Sequence, residues 1–217
     1  MEADAADIEF KDGTFRVVGT DKAIPITEVA KASYAPMGPL TEKFGVGLEA
    51  TGSFSASPPS HPNGSHVCEV EIDPDTGEVV VDRYFVVDDL GRVLNPLIVR
   101  GQIHGGVIQG IGQALIEHQI YDRSSGQLLT GSFMDYGMPR ADSMPEVEST
   151  LEEVPCKTNP LGVKGIGESG TIGAPPVVIN ALIDALGPLG VDAIDMPATP
   201  LRVWETIQRA KGKGAAA

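Results

Sequence analysis

The sequence predicts an α+β fold of β-hairpins with two or three helices and long wrapping loops. Three observations carry that expectation. Alternating or β-branched runs in the first ninety residues are joined by strong turn signals. Apolar residues recur every four positions between 101 and 118, the stripe of an amphipathic helix. Stretches 34–63 and 137–160 are dense in Gly, Pro, Ser and Thr and poor in periodic apolar residues, so they read as loops on the surface or around a neighbour.

Residues 8–18 read Ile-Glu-Phe-Lys-Asp-Gly-Thr-Phe-Arg-Val-Val, two alternating runs around Asp12-Gly13. Asp-Gly accepts the left-handed φ values of a two-residue turn, so a tight hairpin is expected. A helix over 26–34 should follow, capped by Thr27. Runs 66–73 and 78–88 are joined by Asp73-Pro74-Asp75-Thr76-Gly77 and form a second hairpin of longer strands. The helix of 101–118 buries Ile103, Val107, Ile111 and Leu115. It also contains Gly105, Gly106, Gly110 and Gly112, which together cost ~2–4 kcal/mol relative to Ala. Close approach of a bulky ligand or tight packing against another backbone would each recover that loss. A third hairpin turns at 123–126, and the prolines at 139, 145, 155 and 160 make 137–160 extended loop and edge strand. The next helix is expected to start at Pro175-Pro176 and stop at Gly187. A short helix over 198–210 and a frayed tail at 212–217 would end the chain. A weak internal break is expected near 34–40.

With 217 residues, 41% of them hydrophobic, the chain has the composition of a folded domain rather than a disordered tail. Its net charge of -14 repels phosphate backbones, so no nucleic-acid partner is expected. Residues 1–89 hold 17 acidic and 6 basic side chains, whereas 90–217 hold 13 and 10, so the glycine-rich second part is nearly balanced. The uncharged runs 101–116 and 169–183 fall short of the ~20 apolar residues of a membrane span, so no transmembrane segment is expected. An acidic start is unlike a secretory signal, and two widely spaced cysteines, Cys68 and Cys156, fit a reducing cytoplasm.

Residues 164–173 read Lys-Gly-Ile-Gly-Glu-Ser-Gly-Thr-Ile-Gly, which satisfies the G-x-G-x-x-G spacing of dinucleotide folds. That fingerprint needs a buried strand directly before it, and Lys157-Thr158-Asn159-Pro160 is not one. Glycines that let the main chain lie against a flat ligand, followed by a helix N-terminus that offers amides, suit the segment better. Glu168 would hang over that ligand, held ionised by the helix end as a general base must be. An exposed loop acid without chemistry is the plain alternative.

Gly-Gln-Ile-His-Gly-Gly at 101–106, Gln-Gly-Ile-Gly at 109–112, Asp-Tyr-Gly-Met-Pro-Arg at 135–140, and segments 162–170 and 175–186 recur in an order that covers nearly the whole chain. In these motifs the sequence resembles the molybdenum hydroxylases: xanthine dehydrogenase, aldehyde oxidase and oxidoreductase, and carbon monoxide dehydrogenase, whose large-subunit branch it is most like. The resemblance implies that Glu168 is the catalytic base beside molybdenum. It implies that Gln102 hydrogen-bonds near the cofactor and that Lys164, Gly165, Ile166 and Gly167 line it with main-chain amides. Gly105 and Gly106 would let the helix approach it. Molybdenum would be carried by molybdopterin, in its cytosine dinucleotide form, rather than by side chains, which agrees with the lack of a Cys and His ligand cluster.

The same resemblance implies that 1–217 are only the C-terminal part of a molybdopterin-binding domain. The implied partners are the remaining N-terminal part of the molybdenum subunit, an iron-sulfur subunit, an FAD subunit and a small-molecule substrate: an aldehyde, an N-heterocycle or carbon monoxide. Two rivals remain at this point. One is a non-catalytic assembly or binding module of the same fold, and the other a nicotinamide-binding enzyme. His61, His66 and Cys68 could contribute to a metal site but read more simply as polar loop and strand residues. Asp135 and Tyr136 are expected to brace a loop, and nothing around Cys156 argues for an activated thiolate.

Overall fold

The structure, a computed structural model, describes residues 3–35, 42 and 44–214. Two compact units divide the chain, Met1–Ser55 and Ala56–Ala217. The break expected near 34–40 falls mostly outside the described residues.

In the first unit, β1 (Ile8–Lys11), β2 (Thr14–Val17) and β3 (Ala23–Pro25) form an antiparallel sheet in that order. The Asp-Gly turn is as expected: Asp12 and Gly13 take φ of 47° and 73°, and Lys11 pairs with Thr14. Helix α1 (Ile26–Tyr34) follows directly. Its cap is Pro25, not Thr27, and Pro25 makes no side-chain capping bond. The entry is fixed instead by the Ile26 amide, which donates to Gly13 O at 2.9 Å.

The second unit is built on β4 (Asn63–Ile72), β5 (Val79–Asp89) and β6 (Val147–Leu151). β4 and β5 are the antiparallel hairpin read from the 73–77 turn, and β6 adds parallel to β5 as the edge strand. One bulge near Glu69/Val70 leaves Asp82 unpaired. Tyr84, Val86 and Asp88 still share the buried face with Val81, three residues away, because the extra residue absorbs the change of phase.

Helices α2 (Pro96–Leu115) and α3 (Ser169–Leu186) pack together, and α3 lies along β4. The core joins Tyr84 and Val86 to Ile103, Val107 and Ile111 of α2 and to Ala174, Val178 and Leu182 of α3. α4 (Pro200–Gly214) adds Val203 and Ile207. It runs past Gly212, and 215–217 of the expected tail lie outside the described residues.

Four further sequence expectations need correction. α2 starts at Pro96 rather than 101, because Asn95 Oδ1 accepts from the Leu97 and Ile98 amides and Pro96 sits in the first turn. α3 starts six residues before Pro175. Its first turn is held from outside by α2, to which Thr171 Oγ1 donates at Gly106 O (3.0 Å), so the two prolines lie inside a helix already formed. The third hairpin is reduced to the single bridge Tyr121–Leu128, its turn tied by Asp122 Oδ1 to the amides of Ser124 and Ser125. By length and mean hydropathy, 1.5, Ser169–Leu189 could cross a bilayer, contrary to the reading of its uncharged run as too short. Here Ala174, Val178 and Leu182 of this segment are fully buried against α2 and the sheet, as in a core helix.

Candidate functional site

The glycine loop is pinned at its base and free at its tip. Gly162, with φ of 71°, accepts from the Arg92 and Cys156 amides through one carbonyl. The Lys164 amide donates to Leu90 O at 2.8 Å, and its ammonium pairs with Asp89, both side chains being largely buried. That hydrogen bond, helped by the Gly91 and Val154 amides, outweighs burial and brings the Asp89 carboxyl down to about 2. Lys164 is therefore spent inside the chain. Among the described residues the Gly165, Ile166 and Gly167 amides have no acceptor. The Ser169 amide then donates to Ile166 O and α3 begins.

Glu168 is the N-cap residue of α3. Its carboxylate makes no capping bond, is exposed, and has no partner among the described residues. Two orphan amides of the first turn and the positive end of the helix lie beside it. Gln102 of α2 is also exposed, and its Oε1 lies 3.9 Å from where a Cβ on Gly167 would be. Gln102, the free stretch 165–167 and Glu168 are thus brought together at the junction of α2 and α3. A groove of about 740 Å³ between residues 189–195 and α4 contains none of them.

The glycines of α2 separate by what they meet. A Cβ on Gly106 would lie 3.0 Å from Gly170 Cα, and one on Gly110 would lie 2.6 Å from Ala174 Cβ. A Cβ on Gly112 would lie 2.5 Å from Pro139 Cγ. Close packing explains all three. Gly105 has nothing within 4 Å among the described residues, so its helix cost is not recovered by them. Gly165 is equally open.

Sequence reasoning missed a polar group under this junction. The register His66↔Val86 sets His66 on the same face as Tyr84 and Asp88. His66 Nδ1 is 2.7 Å from Tyr84 OH and its Nε2 is 3.8 Å from Asp88 Oδ1, while Ser169 Oγ shares its one proton between Asp88 Oδ2 at 3.4 Å and Ile166 O at 3.3 Å. Burial, with Cys68 and Asp88 nearby, pushes the Tyr84 hydroxyl well above its usual range, so it stays protonated where it shares a hydrogen bond with His66. His66 and Cys68 are occupied internally, Cys68 donating to Val177 O, rather than set out as ligands.

The loop-bracing residues behave as read: Tyr136 OH donates to Glu117 and Asp135 accepts from Ser132. Cys156 does not. The Thr158 hydroxyl at 3.1 Å and the Thr158 amide lower its thiol below the ordinary range, a signal that needed the folded loop.

Residues 1–145 match the model of a molybdopterin cofactor-binding domain. The nicotine 6-hydroxylase large subunit of Paenarthrobacter nicotinovorans is 43% identical over 94% of this chain and 25% of its own length. Quinoline 2-oxidoreductase from Pseudomonas putida 86 superposes with a TM-score of 0.82 at 41% identity, over 95% of this chain and 26% of that one. Carbon monoxide dehydrogenase from Oligotropha carboxidovorans does so with 0.85 at 33% identity, over 96% and 26%. The chain spans about a quarter of the length of the curated relatives it matches. By the family match and these likenesses, it belongs to the molybdopterin cofactor-binding domain family of the molybdenum hydroxylases.

Proposed function

We propose that this chain forms the glutamate-bearing wall of the active site in a molybdenum hydroxylase catalytic subunit, with Glu168 as general base. One observation carries the reading: an exposed carboxylate without a partner heads α3 beside three unspent amides and two glycines open to the outside. A flat, anion-bearing pterin fits those residues. Gly165, Ile166 and Gly167 would offer main-chain donors, Gln102 a side-chain amide, and Gly105 a face of α2 without a side chain. Gly106 would act from behind, by letting α3 close on α2, and Lys164 by fixing the base of the loop through Asp89. When bound, the molybdenum centre supplies the redox and oxygen-transfer chemistry.

Hydroxylation of a C–H bond with oxygen from water releases two electrons and two protons. Glu168 takes one of these protons. The remaining part of the subunit would close over it and exclude water. The relatives named for nicotine and quinoline are closer in sequence than those named for carbon monoxide, which favours an N-heteroaromatic substrate over carbon monoxide or an aldehyde. Two relatives, one named a large subunit and one a subunit gamma of a dehydrogenase complex, fit a multi-subunit enzyme, to which we assign an iron-sulfur and an FAD subunit as the electron exit and the cytosine dinucleotide form of the cofactor. Free thiols at Cys68 and Cys156 fit a cytoplasmic setting.

The test is Glu168→Gln in the assembled enzyme, assayed on nicotine, quinoline, benzaldehyde and carbon monoxide. Turnover should fall at least ~100-fold, the scale of a lost general base, with molybdenum content unchanged. Retained turnover contradicts the role.

A further inference from the structure

We propose that Asp88, held by His66 and Tyr84, is a positioning residue for Glu168 and acts through the Ser169 hydroxyl. The inference rests on the reading of Glu168 given above and adds what holds that residue in place. Asp88 is completely buried at the end of β5, directly below the first turn of α3. Among the described residues its Oδ2 meets one hydroxyl, that of Ser169, the residue after Glu168, which lies 3.4 Å from Asp88 Oδ2 and 3.3 Å from Ile166 O and so ties the first turn of α3 to both β5 and the glycine loop. Its Oδ1 faces His66 Nε2 at 3.8 Å, and the other ring nitrogen, Nδ1, is held 2.7 Å from the Tyr84 hydroxyl, which fixes the imidazole beside the carboxylate.

A buried carboxylate with one unmet oxygen is costly to keep, and an apolar core of the same shape would be cheaper. Two glycines make room for it. A Cβ on Gly64 would fall 2.1 Å from Asp88 Oδ1, and one on Gly173, in the second turn of α3, 2.5 Å from the His66 ring. The network therefore meets α3 at Ser169 and at Gly173. Strand β5 is thereby connected to the one turn of helix whose cap residue carries the candidate base. General-base transfer tolerates little displacement, so a hydroxyl that fixes the neighbouring peptide acts on rate without touching the ligand.

In the assembled, molybdenum-loaded enzyme, Ser169→Ala, Ser169→Thr, Asp88→Asn and Glu168→Gln separate the possibilities. Hydrogen exchange at amides 170–172 should rise about tenfold in Ser169→Ala, the weight of one charge-assisted hydrogen bond, and return toward wild type in Ser169→Thr. On a substrate the wild type turns over, kcat should fall about tenfold in Ser169→Ala and Asp88→Asn with KM and molybdenum content unchanged, and Ser169→Thr should recover it. Unchanged exchange in Ser169→Ala overturns the proposal, as does a Ser169→Thr variant no better than Ser169→Ala. If Asp88→Asn does not assemble, the Ser169 pair decides alone. Full activity in Glu168→Gln instead removes the base reading, whatever the Ser169 variants do to exchange.

Discussion

Alanine at Gly105 should make the protein more stable and its active site worse. A methyl at this position in α2 meets nothing within 4 Å among the described residues, so the substitution restores the ordinary helix preference, ~0.5–1 kcal/mol. For a protein of this size that raises the melting temperature of the cofactor-free form by ~1–4 °C. If Gly105 is kept bare for a ligand, the same methyl intrudes on it and molybdenum content per subunit falls in the assembled enzyme. Gly170→Ala is the control: its Cβ would fall 2.8 Å from both Ile103 O and Val107 N, backbone atoms that cannot swing aside. It should destabilise by about 1–3 kcal/mol through forced separation of α2 and α3. Calorimetry of the cofactor-free protein and metal analysis of the assembled enzyme read the two effects separately. A Gly105→Ala enzyme that melts higher and carries its full complement of molybdenum would refute the argument.

The remaining expectations concern titration and reactivity. Asp89 has its carboxyl lowered from 3.8 to about 2, so the stability it contributes is fully present above about pH 4 and is lost as pH falls through 2. Lys164→Met should remove that contribution, cost about 1.5–3 kcal/mol at neutral pH, and move acid unfolding to higher pH, as followed by circular dichroism. Burial lifts the Cys68 thiol to about 11, whereas Thr158 lowers that of Cys156. Iodoacetamide at pH 7.5 should therefore label Cys156 well before Cys68, and peptide mass spectrometry that finds Cys68 labelled first would count against the structure of both environments. Gly13→Ala should destabilise the first hairpin by ~1–2 kcal/mol, since φ of 73° is left-handed, and a neutral result in thermal melts would contradict the turn assignment.

What the sequence made legible is local. Asp12-Gly13 and the 73–77 turn carry their own geometry, and the Ile103, Val107, Ile111 and Leu115 stripe is buried as its period requires. Asn95-Pro96 is a local helix-start signal too, an Asn cap followed by Pro in the first turn, and it lies ahead of the apolar stripe that begins at Ile103. The early start of α3 was not readable in the same way. It depends on Gly106 and Gly110 admitting a second helix, and on Thr171 bonding across the seam, contacts set by residues some sixty positions away. At the candidate site, Gln102, the 165–167 loop and Glu168 were singled out from their motifs, and the structure brings them to one junction. The distinction between Gly105, which is open, and Gly106, which is packed, needed the partner helix. The Asp88–His66–Tyr84 group depends on strand register and a bulge, so nothing in the linear order joined those three residues.

The most direct measurement is the structure of the assembled, molybdenum-loaded enzyme at a resolution that defines the Glu168 carboxylate. The account predicts that carboxylate inside a cavity shared with the cofactor, within reach of a bound substrate or of one intervening water, with Gly165–Gly167 amides turned to the pterin. A Glu168 side chain directed into bulk solvent, with the cofactor bound elsewhere, would contradict it.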